Sequence, residues 1–186
     1  MRLLSSVLAI LICACTCLAF SPDPGQAEET SASKAPDFTA KNLQGEAVSL
    51  SEALKKGPVL IDFWTTWCKP CQIELPELDR LHREFQDKGF QVFAIAQDDP
   101  KTIAKVKPLV DQKDWKMTVL VDPERKVGNA FHVRNYPTSF LIAQDGTIVH
   151  NAQGYMRGDE KVLEEKVRGL LGMGGGTEHT NSGADK

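Results

Sequence analysis

The spacing of apolar and polar residues changes several times between residues 35 and 172, and each change predicts an element. Val59-Leu60-Ile61-Asp62-Phe63-Trp64 is an apolar run broken by a single acid, the pattern of a buried strand. From Gln72 to Lys88 the spacing is that of an amphipathic helix, stopped by Gly89. A second strand is expected over Phe90 to Ala96. Between Lys101 and Lys113, Ile103, Val106 and Val110 return to helical spacing, and Thr118-Val119-Leu120-Val121 forms a short strand before the Asp122-Pro123 turn. Lys126 to Phe131 reads as a short helix. Ser139 to Ala143 and Thr147 to Asn151 flank Gln144-Asp145-Gly146 and predict an antiparallel hairpin, and Asp159 to Leu171 predicts a closing helix. Upstream, Phe38 to Leu50 holds the turn Gln44-Gly45 between short apolar stretches, a small added hairpin, with Ser51 expected to cap a short helix reaching Lys55.

Strands alternating with helices, then a hairpin and a last helix, imply an α/β domain whose mixed central sheet is flanked by helices on both faces. The ends differ in character. Residues 1–20 carry Arg2 and then an apolar run, an export signal with three possible fates. Cys17-Leu18-Ala19 offers small residues for cleavage, Ile12-Cys13-Ala14-Cys15 resembles a lipoprotein box, and a run of roughly 18 apolar residues is at the lower limit for a retained membrane anchor. Residues 21–34 are rich in Pro, Gly, Ser, Glu and Ala and read as a flexible linker. The expected domain spans 35–172, and 173–186, with Gly174-Gly175-Gly176, reads as a disordered tail.

A length of 186 residues fits one such domain plus its ends, and the net charge of -3, with no dense Lys/Arg stripe, argues against nucleic acid as a partner. Cysteine placement changes the picture more. Cys13, Cys15 and Cys17 fall in the export segment, so only Cys68 and Cys71 remain for the folded part. A bridge across so short a loop removes little entropy from the unfolded chain, which makes chemistry a better reason for the pair than stability.

The pair stands in Trp64-Thr65-Thr66-Trp67-Cys68-Lys69-Pro70-Cys71, at the end of a buried strand and immediately before a helix. A sulfur at a helix N-terminus faces unpaired N–H groups and the positive end of the helix dipole, and both favour thiolate. Cys68 is therefore the expected nucleophile, with Lys69 adding positive charge, and Cys71, one turn further in, the group that resolves a mixed disulfide. Pro70 stiffens the spacer where a missing N–H costs nothing. Half a zinc site would look the same, but His82, His132, His150 and His179 show no ligand spacing, so no metal is expected and redox chemistry is favoured. That chemistry requires no cofactor. Two acids compete to handle the proton of Cys71. Asp62 interrupts the buried strand, and Glu74 shares a helical face with Cys71; a buried, unpaired acid titrates close enough to neutrality to exchange that proton. Trp67 is expected to shield the disulfide and offer substrate a flat apolar contact, and Trp115 to be structural.

These residues resemble the thioredoxin active site, and Pro76 falls where thioredoxins carry a helix-kinking proline. With Glu74, the amino-terminal addition and Tyr136-Pro137-Thr138-Ser139-Phe140-Leu141-Ile142, the stretch from Ala35 to Gly172 is more similar to the TlpA/ResA-like branch of bacterial envelope thiol-disulfide oxidoreductases. The resemblance implies a thioredoxin-like fold and reduction of disulfides outside the cytoplasmic membrane, for example in apocytochrome c, by a dithiol recharged from a membrane electron donor. It also implies a cis bond at Tyr136-Pro137, beside Cys68, where backbone pairs with a substrate peptide. ResA-like proteins often carry a neutral residue at the position of Asp62. Two other classes stay open. Ala35-Pro36-Asp37-Phe38 also opens peroxiredoxin-like thiol peroxidases, although no proline precedes Thr65, and a copper chaperone of related fold would draw on His132.

Overall fold

The computed structural model describes residues 33–173. The expected export segment, most of the linker and nearly all of the tail lie outside the described residues.

β3 (Val59–Trp64) is buried along its whole length and lies inside a seven-stranded sheet, two strands from one edge. β4 (Gln91–Ala96) runs parallel to it on one side and β6 (Thr138–Ile142) antiparallel on the other. β5 (Thr118–Val121) extends the parallel side and β7 (Ile148–Gln153) closes the antiparallel edge. The amino-terminal hairpin, β1 (Thr39–Asn42) and β2 (Ala47–Ser49), is more than an addition. β1 pairs antiparallel with β5, so the hairpin becomes the far edge of the same sheet.

Strand alternation divides the core in two, because successive side chains point to opposite faces. One face carries Leu60, Trp64, Val92, Ala94, Val119 and Leu141 under α2 (Lys69–Phe85), α3 (Val106–Lys113) and α5 (Asp159–Leu170). The other carries Ile61, Phe63, Phe93, Ile95, Leu120 and Phe140 under α1 (Leu50–Leu54) and α4 (Lys126–Ala130).

Boundaries moved where a cap outcompeted periodicity. The helix expected from Gln72 begins at Lys69, because Cys68 itself is the N-cap, and it runs into a 3₁₀ turn over Gln86–Lys88. Gly89 ends that turn at φ 89°, and a Cβ there would lie 2.2 Å from the Lys56 carbonyl oxygen, so the position demands glycine twice over. Ser49, not Ser51, caps α1: its hydroxyl accepts from the Glu52 N–H, while the Ser51 N–H donates to Asp37. At the amino-terminal edge, Lys34 bridges Thr147 and its Nζ donates to Asp145, holding this end of the expected linker against the β6–β7 turn.

Candidate active site

The strand-to-helix junction after Trp64 is shaped by polar side chains from the segment after β4 and from α2 itself. Asp98, fully buried just past β4, accepts from the Thr66 N–H at 2.8 Å and from the Thr66 hydroxyl, and Gln72 donates to the Thr66 carbonyl at 2.6 Å. The chain thereby turns so that Cys68 caps α2, its Sγ accepting from the Cys71 N–H at 3.2 Å. Cys68 and Cys71 are joined as a disulfide with Cα atoms 5.3 Å apart. Cys71 is inaccessible, whereas Cys68 keeps 5% exposure, so an incoming thiol or disulfide reaches only Cys68. The order of roles expected from helix position is thus also the order of accessibility.

The Tyr136-Pro137 bond is cis, and the loop carrying it ends at the start of β6. Tyr136 meets Trp67 edge to face with ring centroids 5.9 Å apart, and the Arg125 guanidinium lies 5.7 Å from the Tyr136 ring centre. Its hydroxyl donates to Gln97 at 3.1 Å, and Gln97 donates in turn to the buried Asp122 at 2.6 Å. Gly128 closes this network: its N–H donates to the same Asp122 oxygen, and a Cβ there would sit 2.0 Å from the Gln97 amide. Sequence reasoning missed Gln97, Asp98 and Asp122. The signal was present, since all three directly follow parallel strands, and the carboxyl ends of parallel strands are where α/β sheets gather their working groups.

Trp67 is 62% exposed, an uncommon state for a tryptophan. Trp115 instead packs edge to face on Trp64 in the core, the structural role expected of it. Asp62 and Glu74 are both buried on the cysteine side of the sheet. Neither Asp62 oxygen has a hydrogen-bond partner, nor has Glu74 Oε2. Burial, reinforced by the nearby Glu74 charge, drives Asp62 well above the usual carboxylate range. Burial and then Asp159 push Glu74 up to about 8. Both acids are therefore poised to hold protons at neutral pH.

The AhpC/TSA family model matches residues 32–151. The thiol-disulfide oxidoreductase ResA of Bacillus cereus is 36% identical over 138 residues, covering 74% of this chain and 72% of that protein. The chain belongs to the AhpC/TSA family and to its ResA-like thiol-disulfide oxidoreductases. The thioredoxin-like protein YneN of Bacillus subtilis is 34% identical over 134 residues, 72% of this chain and 76% of that one. A structure described as the thiol:disulfide interchange protein DsbE of Chlorobium tepidum superposes with a TM-score of 0.70 at 31% identity, over 75% of this chain and 96% of that chain. This ResA-like chain therefore has the thioredoxin-like fold anticipated from its motif, and is a thiol-disulfide oxidoreductase with a Cys68/Cys71 pair. The copper alternative finds no support in the geometry: His132 is exposed, and among the described residues no cluster of three His, Cys, Asp or Glu is placed to hold an ion. Nor is a lone peroxidatic thiol on display, since Cys68 is paired with Cys71 and Thr65 is wholly buried with its hydroxyl unpartnered.

Proposed function

We propose that this oxidoreductase works as a reductant of disulfides in exported proteins, on the outer side of the cytoplasmic membrane, apocytochrome c being the substrate its family suggests. The observation that carries the direction is the pair of acids buried on the cysteine side of the sheet. The burial that keeps these carboxyls protonated also opposes thiolate at Cys71, which destabilises the reduced form and lowers the reduction potential. A pair held only by cationic groups would be pulled the other way.

In the reductive half-cycle the Cys68 thiolate attacks a substrate disulfide, forming a mixed disulfide and expelling one substrate thiolate. Cys71 then gives its proton to a buried acid that has first released its own, and attacks Cys68 Sγ. The enzyme disulfide forms and the second substrate sulfur leaves as thiolate, to be protonated by solvent. Trp67, the Tyr136 ring and the Tyr136 backbone just before Pro137 form the surface on which an extended substrate segment lies. The oxidised pair is returned to dithiol by a membrane thiol-disulfide donor. Residues 1–20 supply the export signal and, if retained or lipidated, the tether; among the described residues no helix is long and apolar enough to cross a membrane.

Equilibration of the pair with glutathione tests the direction. The expected potential lies below the glutathione poise of about -220 mV; a value near the roughly -120 mV of strong oxidants would reverse the assignment. Mass spectrometry of the mature amino terminus tests the export reading, which a chain still beginning at Met1 in the cytoplasmic fraction would contradict.

A further inference from the structure

Buried acids that hold protons at neutral pH must lose them before either can accept one from Cys71, and Cys71 itself is inaccessible. Register shows a route. Asp62 on β3 lies opposite Ser139 on β6, and Ser139 lies opposite Ala152 on β7. Paired residues of antiparallel strands project on one face with Cβ atoms roughly 4.5–5.5 Å apart. Asp62, Ser139 and Ala152 thus form a row across the sheet toward its edge, under α2 and α5. Where the row ends there is a cavity of about 20 Å³, lined by Glu74, Ser139, His150, Ala152, Tyr155 and Asp159 among others. A water needs about 10–15 Å³ and two or more polar partners, so this space takes one water and offers it a carboxyl, a hydroxyl and an imidazole. Glu74, 95% buried, brings an Oε2 with no other partner.

We propose that the buried acids exchange their proton with solvent through this cavity, with Ser139 and one water as carriers and His150 as the group that takes the proton at the edge of the sheet. The path rests on the reading of Asp62 and Glu74 as the proton acceptors for Cys71. The surroundings of Glu74 suit it. Asp62 faces it from β3, Glu77 is its neighbour one turn on in α2, His150 comes from β7, Tyr155 from the loop after β7, and Asp159 and Glu160 from α5. Tyr155 cannot compete for the proton: its hydroxyl donates to Glu160 at 2.7 Å and its ionisation is pushed up by burial and that bond. His150 is half-buried at the rim, held below its ordinary value by burial and Lys166 against the opposing pull of Asp159. That lowered basicity suits it to pass a proton on to solvent rather than to keep it.

The test is stopped-flow measurement of the second step, release of a chromophoric thiol from the Cys68 mixed disulfide, in the full-length protein with Ser139→Ala, His150→Gln and Glu74→Gln. The path predicts that Ser139→Ala and His150→Gln slow this step several-fold at low buffer, that added imidazole restores the His150→Gln rate, and that the equilibrium potential of both stays that of the parent. Rates that ignore both substitutions and added buffer, with Glu74→Gln still shifting the pH profile, would overturn the path while leaving the acid reading intact. A pH profile unmoved by Glu74→Gln and by Asp62→Asn would remove the acid reading and the path together. Slowing without imidazole rescue would assign Ser139 and His150 to packing and also defeat the proposal.

Discussion

On one face of β3, Ile61 and Phe63 join Phe93, Phe131 and Phe140 in a layer of interlocking rings; on the other, Leu60 and Trp64 bracket Asp62 beneath the cysteines. Phe63 meets Phe131 at 5.6 Å and Phe140 at 6.1 Å between centroids, and Phe131 meets Phe140 at 5.2 Å. Nothing in that layer titrates. The opposite face leaves two carboxyl groups inside with oxygens unpartnered. Alternate residues of a single strand therefore do opposite things: one set stabilises the fold by burial, and the other holds a destabilising group where the proposed proton transfer would use it.

The sharpest way to break this comparison is to exchange what each face gives up. Cys68→Ser is expected to abolish disulfide reduction, to background in an insulin turbidity assay, while the melting temperature measured on the reduced proteins hardly moves. Phe63→Ala should do the reverse. Deleting a fully buried ring costs about 3–5 kcal/mol, read by denaturant unfolding, while turnover per folded molecule stays near that of the parent. Substantial catalytic loss in folded Phe63→Ala would show that the aromatic layer is not mechanically separate from the site.

The acids sharpen the comparison through pH. Glu74 is raised from 4.5 to about 8, so between those values the unfolded chain releases its proton and the native chain keeps it. Native stability therefore falls as pH rises from about 4.5 and levels off above about 8. Glu74→Gln removes that slope: the variant should gain on the parent by a few kcal/mol across this window and by little below pH 4. The same substitution should flatten the pH dependence of Cys71 reactivity. Asp62→Asn should act in the same direction for stability. An unchanged stability profile in both would mean the acids are not protonated in the native protein.

The smallest effect is expected at the rim. Trp67→Ala removes an exposed ring, so stability should change by less than about 0.5 kcal/mol. KM for a protein disulfide should rise several-fold while kcat changes less, since in the proposed function the ring contacts substrate and not the reacting sulfurs. A matched loss with a small-molecule disulfide would place Trp67 in the chemistry instead.

Much of the fold was legible because its helices and strands carry strong periodicity. β3 and β5 have the bounds that pattern alone predicts, and the cysteine pair stood out by its place before a helix. The hairpin of β1 and β2 was visible as a hairpin, but its pairing with β5 was not, since nothing local states which edge a strand will join. The start of α2 was missed for an instructive reason: periodicity marks the buried face of a helix, whereas Lys69 and Pro70, just after the Cys68 cap, are exposed. Asp62 was legible as an anomaly in an apolar run. Ser139 and His150 were not, because a serine and a histidine in a hairpin are unremarkable until the register of three strands sets Ser139 in line with Asp62 and one cavity gathers both residues beside Glu74.

The central claim is that Cys68 and Cys71 exchange one disulfide with substrate, Cys68 engaging first. The most direct measurement is to mix Cys71→Ser protein with a disulfide-bonded substrate and map the trapped adduct by mass spectrometry after alkylation. A stable mixed disulfide through Cys68, absent in Cys68→Ser, is the predicted result; no adduct, or one formed through Cys71 in Cys68→Ser at an equal rate, would contradict it.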